Sequence, residues 1–425
     1  MTARTPRRLL ARLAAAVTTV AAVAALGSAS ASGMAARTAP TTPATTQPVI
    51  FVGNNWDGTV QVIDPDGYDV LGQIDAIPDI DERMLEIYTN PVRLAYFLAI
   101  RMGPGEGNDQ YVDDMYSTRD GRLLVASRPS LADVVGIDTR TGEIAWRFEV
   151  EGQRSDHMAL SPDGEHVAVS ASTANLVHVL DVNTGEEIGR FPSGDTPHEN
   201  VYSADGERIF HASIGLVYTP LDQPAFDSTK GERIFQIVDA DSFEILERFD
   251  LRDKLDAAGY HDISSAIRPM AHTPDERYFY FQVSFFHGFV EYDTVTGEVT
   301  RVANLPNLVP DMPREQYVND SAHHGLAMNR KGTKLCVAGT MDDYAAIVDR
   351  ETFRHNIVSR PENGKPYWAT SNKDGSRCYL SWSGTDEMSV IDYKTETEIA
   401  RVPVGNHPQR IREGFVPTDW TPPAG

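Results

Sequence analysis

Cysteine is scarce in this chain, at two in 425 residues, and positive charge is short, with 38 Lys and Arg against 61 Asp and Glu for a formal net charge of −23. So acidic a composition repels phosphate backbones and anionic lipid, so neither nucleic acid nor a membrane surface is expected as a partner. The GxSxG, HExxH, P-loop and Rossmann patterns are all missing, which removes the motif-borne routes to hydrolysis and nucleotide binding. Any chemistry has to be assembled by the fold.

Residues 1–32 carry Arg4, Arg7, Arg8 and Arg12, then an apolar run over residues 13–26, then small residues through Ser32. That pattern reads as a secretory signal peptide, because the apolar part is short for a membrane span. Losing those four arginines, and no acid, takes the net charge from −23 to −27. The Arg7-Arg8 pair raises a twin-arginine export route, although its surroundings fit that motif poorly. No Cys follows the apolar run, so a lipid anchor is not expected, and the protein is read as secreted or extracytoplasmic. Residues 33–47 read as a disordered Thr/Pro/Ala linker, residues 48–416 as the folded domain and residues 417–425 as a tail.

What the sequence does contain is a phrase repeated seven times: two apolar residues, an Asp, a short turn and a second apolar run. The Asp falls at Asp64, Asp138, Asp181, Asp239, Asp293, Asp349 and Asp392. Strand-like alternation around a turn, recurring at a bare period of about 43 residues, predicts an all-β, seven-bladed β-propeller with four-stranded blades. Each blade starts with a strand that ends in a Ser-x-Asp-Gly type of turn, except the first, which opens directly on VIFVGN at Val49. The orphan segment HPQRIREGFV after the last repeat is therefore expected to close blade 1 as its innermost strand, removing two exposed sheet edges.

The spacings between successive Asp turns, 74, 43, 58, 54, 56 and 43 residues, locate four insertions at 82–112, 214–231, 251–266 and 303–320. Strand direction alternates within a blade, so all four emerge on one face of the ring. The first has helical apolar spacing on both sides of Pro91 and predicts two short helices. Cys336 and Cys378 sit in neighbouring blades with opposite parity. Opposite parity lets them face each other across the blade interface, but facing sheets lie about 10 Å apart, too far for easy disulfide geometry, so two buried free thiols are the favoured reading and a disulfide the alternative.

Aligning the innermost strands on their turns gives one position occupied by Asp113, Asp156, His198, Arg268, His324, Tyr367 and His407. The next position holds Asp114, His157, Glu199, Pro269, Gly325, Trp368 and Pro408. These residues enter the central channel on the face that carries the insertions. Three imidazoles at one structural position suggest a metal held by His198, His324 and His407, of a kind suited to copper, iron or zinc rather than calcium. Glu199 or His157 would then serve as acid or base, while Arg268 and Tyr367 orient a small-molecule substrate.

IFVGNNWDGTVQVID (residues 50–64) and SPDGEHVAVSASTANLVHVLDVNTGEEIGRF (residues 161–191) resemble the YVTN-type repeat of bacterial secreted propellers, the YncE-like group. The resemblance covers nearly all of residues 48–416 and implies architecture, since similar repeats occur in the heavy chain of quinoprotein amine dehydrogenases, in surface-layer propellers and in a streptogramin-inactivating lyase. This chain departs from the plain repeat by carrying His or acids where Pro usually precedes the innermost strand. Three readings follow: an exported metal-dependent lyase or oxidoreductase, a non-catalytic propeller that binds a ligand or a protein partner, and a subunit resting on a cofactor-bearing dehydrogenase.

Overall fold

The recurring Asp is a hydrogen-bonding device. Asp138 Oδ1 accepts from the backbone N–H of Arg140 at 2.9 Å and Thr141 at 3.0 Å, and Asp181 does the same for Asn183 and Thr184. Four residues after each Asp the chain enters the left-handed region, at Gly142, Gly185 and Gly297 without steric cost and at Tyr68, Phe243, Phe353 and Glu396 with some. A register shift beside six of these turns completes a bulged hairpin between the two outer strands of the blade, while in blade 6 the shift lies at the far end, between Ala345 and Ala346.

Seven such units form seven four-stranded antiparallel sheets, a seven-bladed propeller. This computed structural model describes residues 45–216 and 224–423, so the leader assigned to residues 1–32 and all but the end of the linker lie outside the described residues. Blade 1 is completed from the far end of the chain: Pro408–Pro417 pairs antiparallel with Thr46–Asn54, from Thr46 opposite Pro417 to Asn54 opposite Pro408. The first strand begins at Thr46, two residues before the expected boundary. The residues beyond 417 are docked and not merely trailing, since the Trp420 indole N–H donates to the Thr139 carbonyl of blade 2 at 2.7 Å and Asp419 pairs with Arg140.

Apolar side chains from facing sheets fill each gap between blades, as where Val62, Ile74, Met115, Leu124 and Val416 meet. Between blades 6 and 7 the cluster holding the two cysteines includes four alanines, Ala327, Ala338, Ala345 and Ala369, beside larger residues such as Trp382 and Leu380. Small side chains let the sheets approach, and Cys336 and Cys378 are joined as a disulfide with Cα atoms 6.4 Å apart. The expected pair of free thiols is thereby corrected. The usual spacing of facing sheets assumes average side chains, and alanine shortens it.

The first insertion folds as two helices, α1 (Ile80–Thr89) and α2 (Pro91–Met102). Asn90 caps α2 by accepting from the N–H groups of Val92 and Arg93, and Pro91 occupies its first turn. Ile87 and Phe97 pack on Leu131 of blade 2, and Arg93 reaches the Leu131 carbonyl at 2.8 Å. A third helix, α3 (Leu251–Ala257), packs its Leu251 and Leu255 into the gap between blades 4 and 5.

Candidate functional site

Six of the seven aligned hub positions line one cavity of about 320 Å³ at the insertion-bearing mouth: Asp113, Asp156, His198, Arg268, His324 and Tyr367, joined by His157. Its roof comes from the insertions. Gly103, Pro104 and Gln110 follow α2, and Glu315, Asn319 and Asp320 end the fourth insertion. Asn319 ties the two together by donating to the Pro104 carbonyl at 3.3 Å and to the Tyr367 hydroxyl at 3.2 Å. Both Asn319 and Asp320 are left-handed, at φ 47° and 58°, a conformation that Asn and Asp adopt more readily than most residues. The insertion at 251–266 contributes nothing to the lining.

His407 does not join the other two predicted metal ligands. It sits in the left-handed region at φ 56°, which turns its side chain away from the direction an extended strand entrance would give. Its ring stacks on Trp56 with centroids 3.7 Å apart and planes 4° from parallel. The imidazoles that do converge are His157, His198 and His324, with centroids 4.0 Å apart for His157 and His198, 5.7 Å for His198 and His324, and 6.1 Å for His157 and His324. Burial holds all three well below the ordinary histidine range, His324 near 3, helped by the nearby Arg410 guanidinium. They are neutral, lone-pair-bearing rings at physiological pH.

Glu199, read from the sequence as an acid or base, faces away from the cavity. Its Oε2 lies 2.7 Å from His157 Nδ1 and 3.0 Å from Arg410 Nη2. The Arg410 guanidinium lies on Trp368, 3.2 Å from the ring centroid, and Arg412 pairs with Asp114. This layer forms a septum across the channel, below which Glu199, Trp368 and Arg412 line a second cavity of about 550 Å³. Glu199 is therefore a positioning residue: it accepts the Nδ1 proton of His157 and leaves the Nε2 lone pair facing the upper cavity.

That lone pair meets two carboxylates whose roles the sequence reading left open. His157 Nε2 is 3.7 Å from Asp113 Oδ2 and 3.6 Å from Asp156 Oδ1, and neither of those buried oxygens has a hydrogen-bond partner. The other Asp156 oxygen is held by Arg154 at 2.6 Å and Ser172 at 2.8 Å. Burial, with the adjacent Asp156 carboxylate, pushes Asp113 up to about 8. Asp113 and Asp156 occupy the same aligned position as the histidines, so the signal that found His198 and His324 was present for them too. Among the described residues, metal-capable clusters comprise Asp113, Asp156 and His157; His157, His198 and Glu199; and His287, His323 and Asp342. In the last, Asp342 accepts from both rings at 2.6 and 2.9 Å, while the buried His323 Nδ1 has no partner.

Arg268 and Tyr367 line the side of the cavity formed by blades 5 and 7. Arg268 Nε donates to Ser284 Oγ at 3.0 Å, and the Tyr367 ring lies 4.4 Å from that of His324.

No family model matches the chain, and no curated protein matches it. Among solved structures it is similar to a chain of hydrazine synthase from Kuenenia stuttgartiensis, with a TM-score of 0.53 and 15% identity over 73% of this chain and 96% of that one. At that identity the likeness shows the fold alone. Fold and site together define a seven-bladed propeller with a roofed polar cavity at its hub, lined by neutral imidazoles and unsatisfied carboxylates.

Proposed function

We propose that this chain is an exported β-propeller protein that admits a small molecule to its hub cavity and acts on it with a bound transition metal, as a lyase or an oxidoreductase. One observation carries the reading: His157, His198 and His324 converge with Asp113 and Asp156 on a single roofed cavity of about 320 Å³, a size suited to a small ligand. Neutral imidazole and carboxylate are the ligand types such an ion requires. A bound ion would supply Lewis acidity, or electron transfer if it were copper or iron.

The chain's own residues supply the rest. Arg268 and Tyr367 orient the substrate, the neutral rings of His198 and His324 present lone pairs beside it, and Asn319 with Pro104 keeps bulk water from the mouth. The YVTN-type repeat and the leader-like residues 1–32 support export and YncE-like kinship. A similar propeller that bears the name of a synthase is consistent with enzymatic use of the architecture.

Elemental analysis of the purified protein tests the proposal. A stoichiometric first-row transition metal is expected, and protein that is metal-free and neither binds added metal nor melts higher in its presence refutes it. A second reading, a propeller that binds a ligand without chemistry, is favoured by the Arg154–Asp156 ion pair, which already neutralises part of the acidic cluster.

A further inference from the structure

The cavity has several groups able to hold an ion, and they are not equivalent. His198 and His324 each have a buried Nδ1 without a partner and rings 5.7 Å apart between centroids, but among the described residues His324 joins no cluster of three close ligand atoms. Beside His198, whose ring centroid lies 4.0 Å from that of His157, three atoms, His157 Nε2, Asp113 Oδ2 and Asp156 Oδ1, converge without a hydrogen bond between them. All three residues are more than nine-tenths buried. Such a convergence in a water-poor pocket is relieved either by a proton on Asp113 or by a cation lying between the three atoms.

Resting on the metal reading above, we propose that the ion is held by Asp113, Asp156 and His157, with one imidazole and two carboxylates, and not by a set of three histidines. Ligand atoms about 2.1 Å from a common ion stand about 3.0 to 3.4 Å apart, depending on octahedral or tetrahedral geometry. The observed 3.6 and 3.7 Å separations from His157 Nε2 need a contraction of only a few tenths of an ångström, and all three ligand atoms lie within 4.8 Å of one another. Two of the three ligands are braced from behind: Glu199 fixes the His157 tautomer, and Arg154 and Ser172 hold the second oxygen of Asp156 so that the first is presented singly. Asp113 and Asp156 come from the innermost strands of adjacent blades 2 and 3, so the ring itself sets the bite.

An oxygen-rich donor set shifts the expected metal from copper toward manganese(II) or iron(II), and three protein ligands leave coordination positions open toward His198 and His324. The two acids also offset the ion's charge, so the bound site is neutral apart from the arginines that brace it.

Manganese(II) is the probe. Chelator-treated full-length protein is titrated with it by calorimetry, and the bound ion is read by pulsed electron paramagnetic resonance, which counts coordinated imidazole nitrogens. One equivalent is expected, with one imidazole. Asp113→Asn and His157→Gln should each weaken binding by about 100-fold or more, and Glu199→Gln, which keeps every ligand, by roughly 10-fold. Two or three coordinated imidazoles overturn the assignment, as does binding that survives Asp113→Asn and His157→Gln within threefold yet is lost in His198→Gln or His324→Gln. The imidazole count needs no variant, so it decides even if a substituted chain fails to fold. Metal bound with the wrong imidazole count refutes this assignment alone, whereas no binding of manganese, iron or zinc refutes the metal reading with it.

Discussion

Removing the bond between blades 6 and 7 should cost a calculable amount. The Cys336–Cys378 disulfide closes a loop with a sequence separation of 42 residues. Chain-entropy arguments assign such a cross-link ~4 kcal/mol of stabilisation, by restricting the unfolded chain. Unfolding entropy of about 2.1 cal/mol/K per residue, over the roughly 370 residues of the ring, gives about 0.8 kcal/mol/K, so Cys378→Ala should lower the melting temperature by about 5 °C. The sulfurs are buried among alanines and the replacement is small, so little packing is lost. Cys336→Ala, Cys378→Ala and the double variant should all melt together, because each removes the same bridge. Differential scanning calorimetry of the four proteins is the assay, with thiol titration in denaturant confirming that the parent has no free thiol. A single variant melting within about 1 °C of the parent would refute the entropic argument, and single-variant losses that add in the double variant would show that packing dominates.

Deleting residues 407–425 should abolish the cooperative melting transition of the whole domain, since blade 1 loses its innermost strand and the ring gains two open edges; a truncated protein with the parent's transition would disprove closure by that strand. Acid stability should depend on His211, buried between Ser193 and Asn200 and held near 3 by desolvation. Its folded pKa lies below its unfolded value of 6.5, so as pH falls below that value the unfolded chain takes up a proton the folded one refuses, and stability falls. Between pH 7 and 5 this amounts to ~2 kcal/mol. Urea denaturation at both pH values should show His211→Gln losing about that much less than the parent, and an equal loss in both would remove His211 from the account.

The ring was legible because its signal is local and repeated: an Asp that caps a turn needs the same neighbours in every blade. The clasp was legible by subtraction, since one blade lacked a strand and one segment lacked a blade. Pro91 and the flanking apolar spacing gave α1 and α2 for the same local reason. The hub was half legible. Aligning the innermost strands brought Asp113, Asp156, His198 and His324 to one position, but not which of them meet. His407 left the set through a left-handed backbone angle that a sequence alignment does not encode, and the direction of Glu199 is set by Arg410, 211 residues away. The disulfide was missed because the gap between blades depends on the alanines lining it, which lie in four different strands.

The first strand of the ring has its partner in residues 408–417, which are synthesised only after the other six blades. Until then six blades can stand complete, but only as an open crescent, with Thr46–Asn54 carrying unpaired backbone at one tip. Maturation of this protein thus waits on residues 408–417: a chain that stops before them is not a slightly smaller propeller but an unclosed one, with sticky edges for quality control to read.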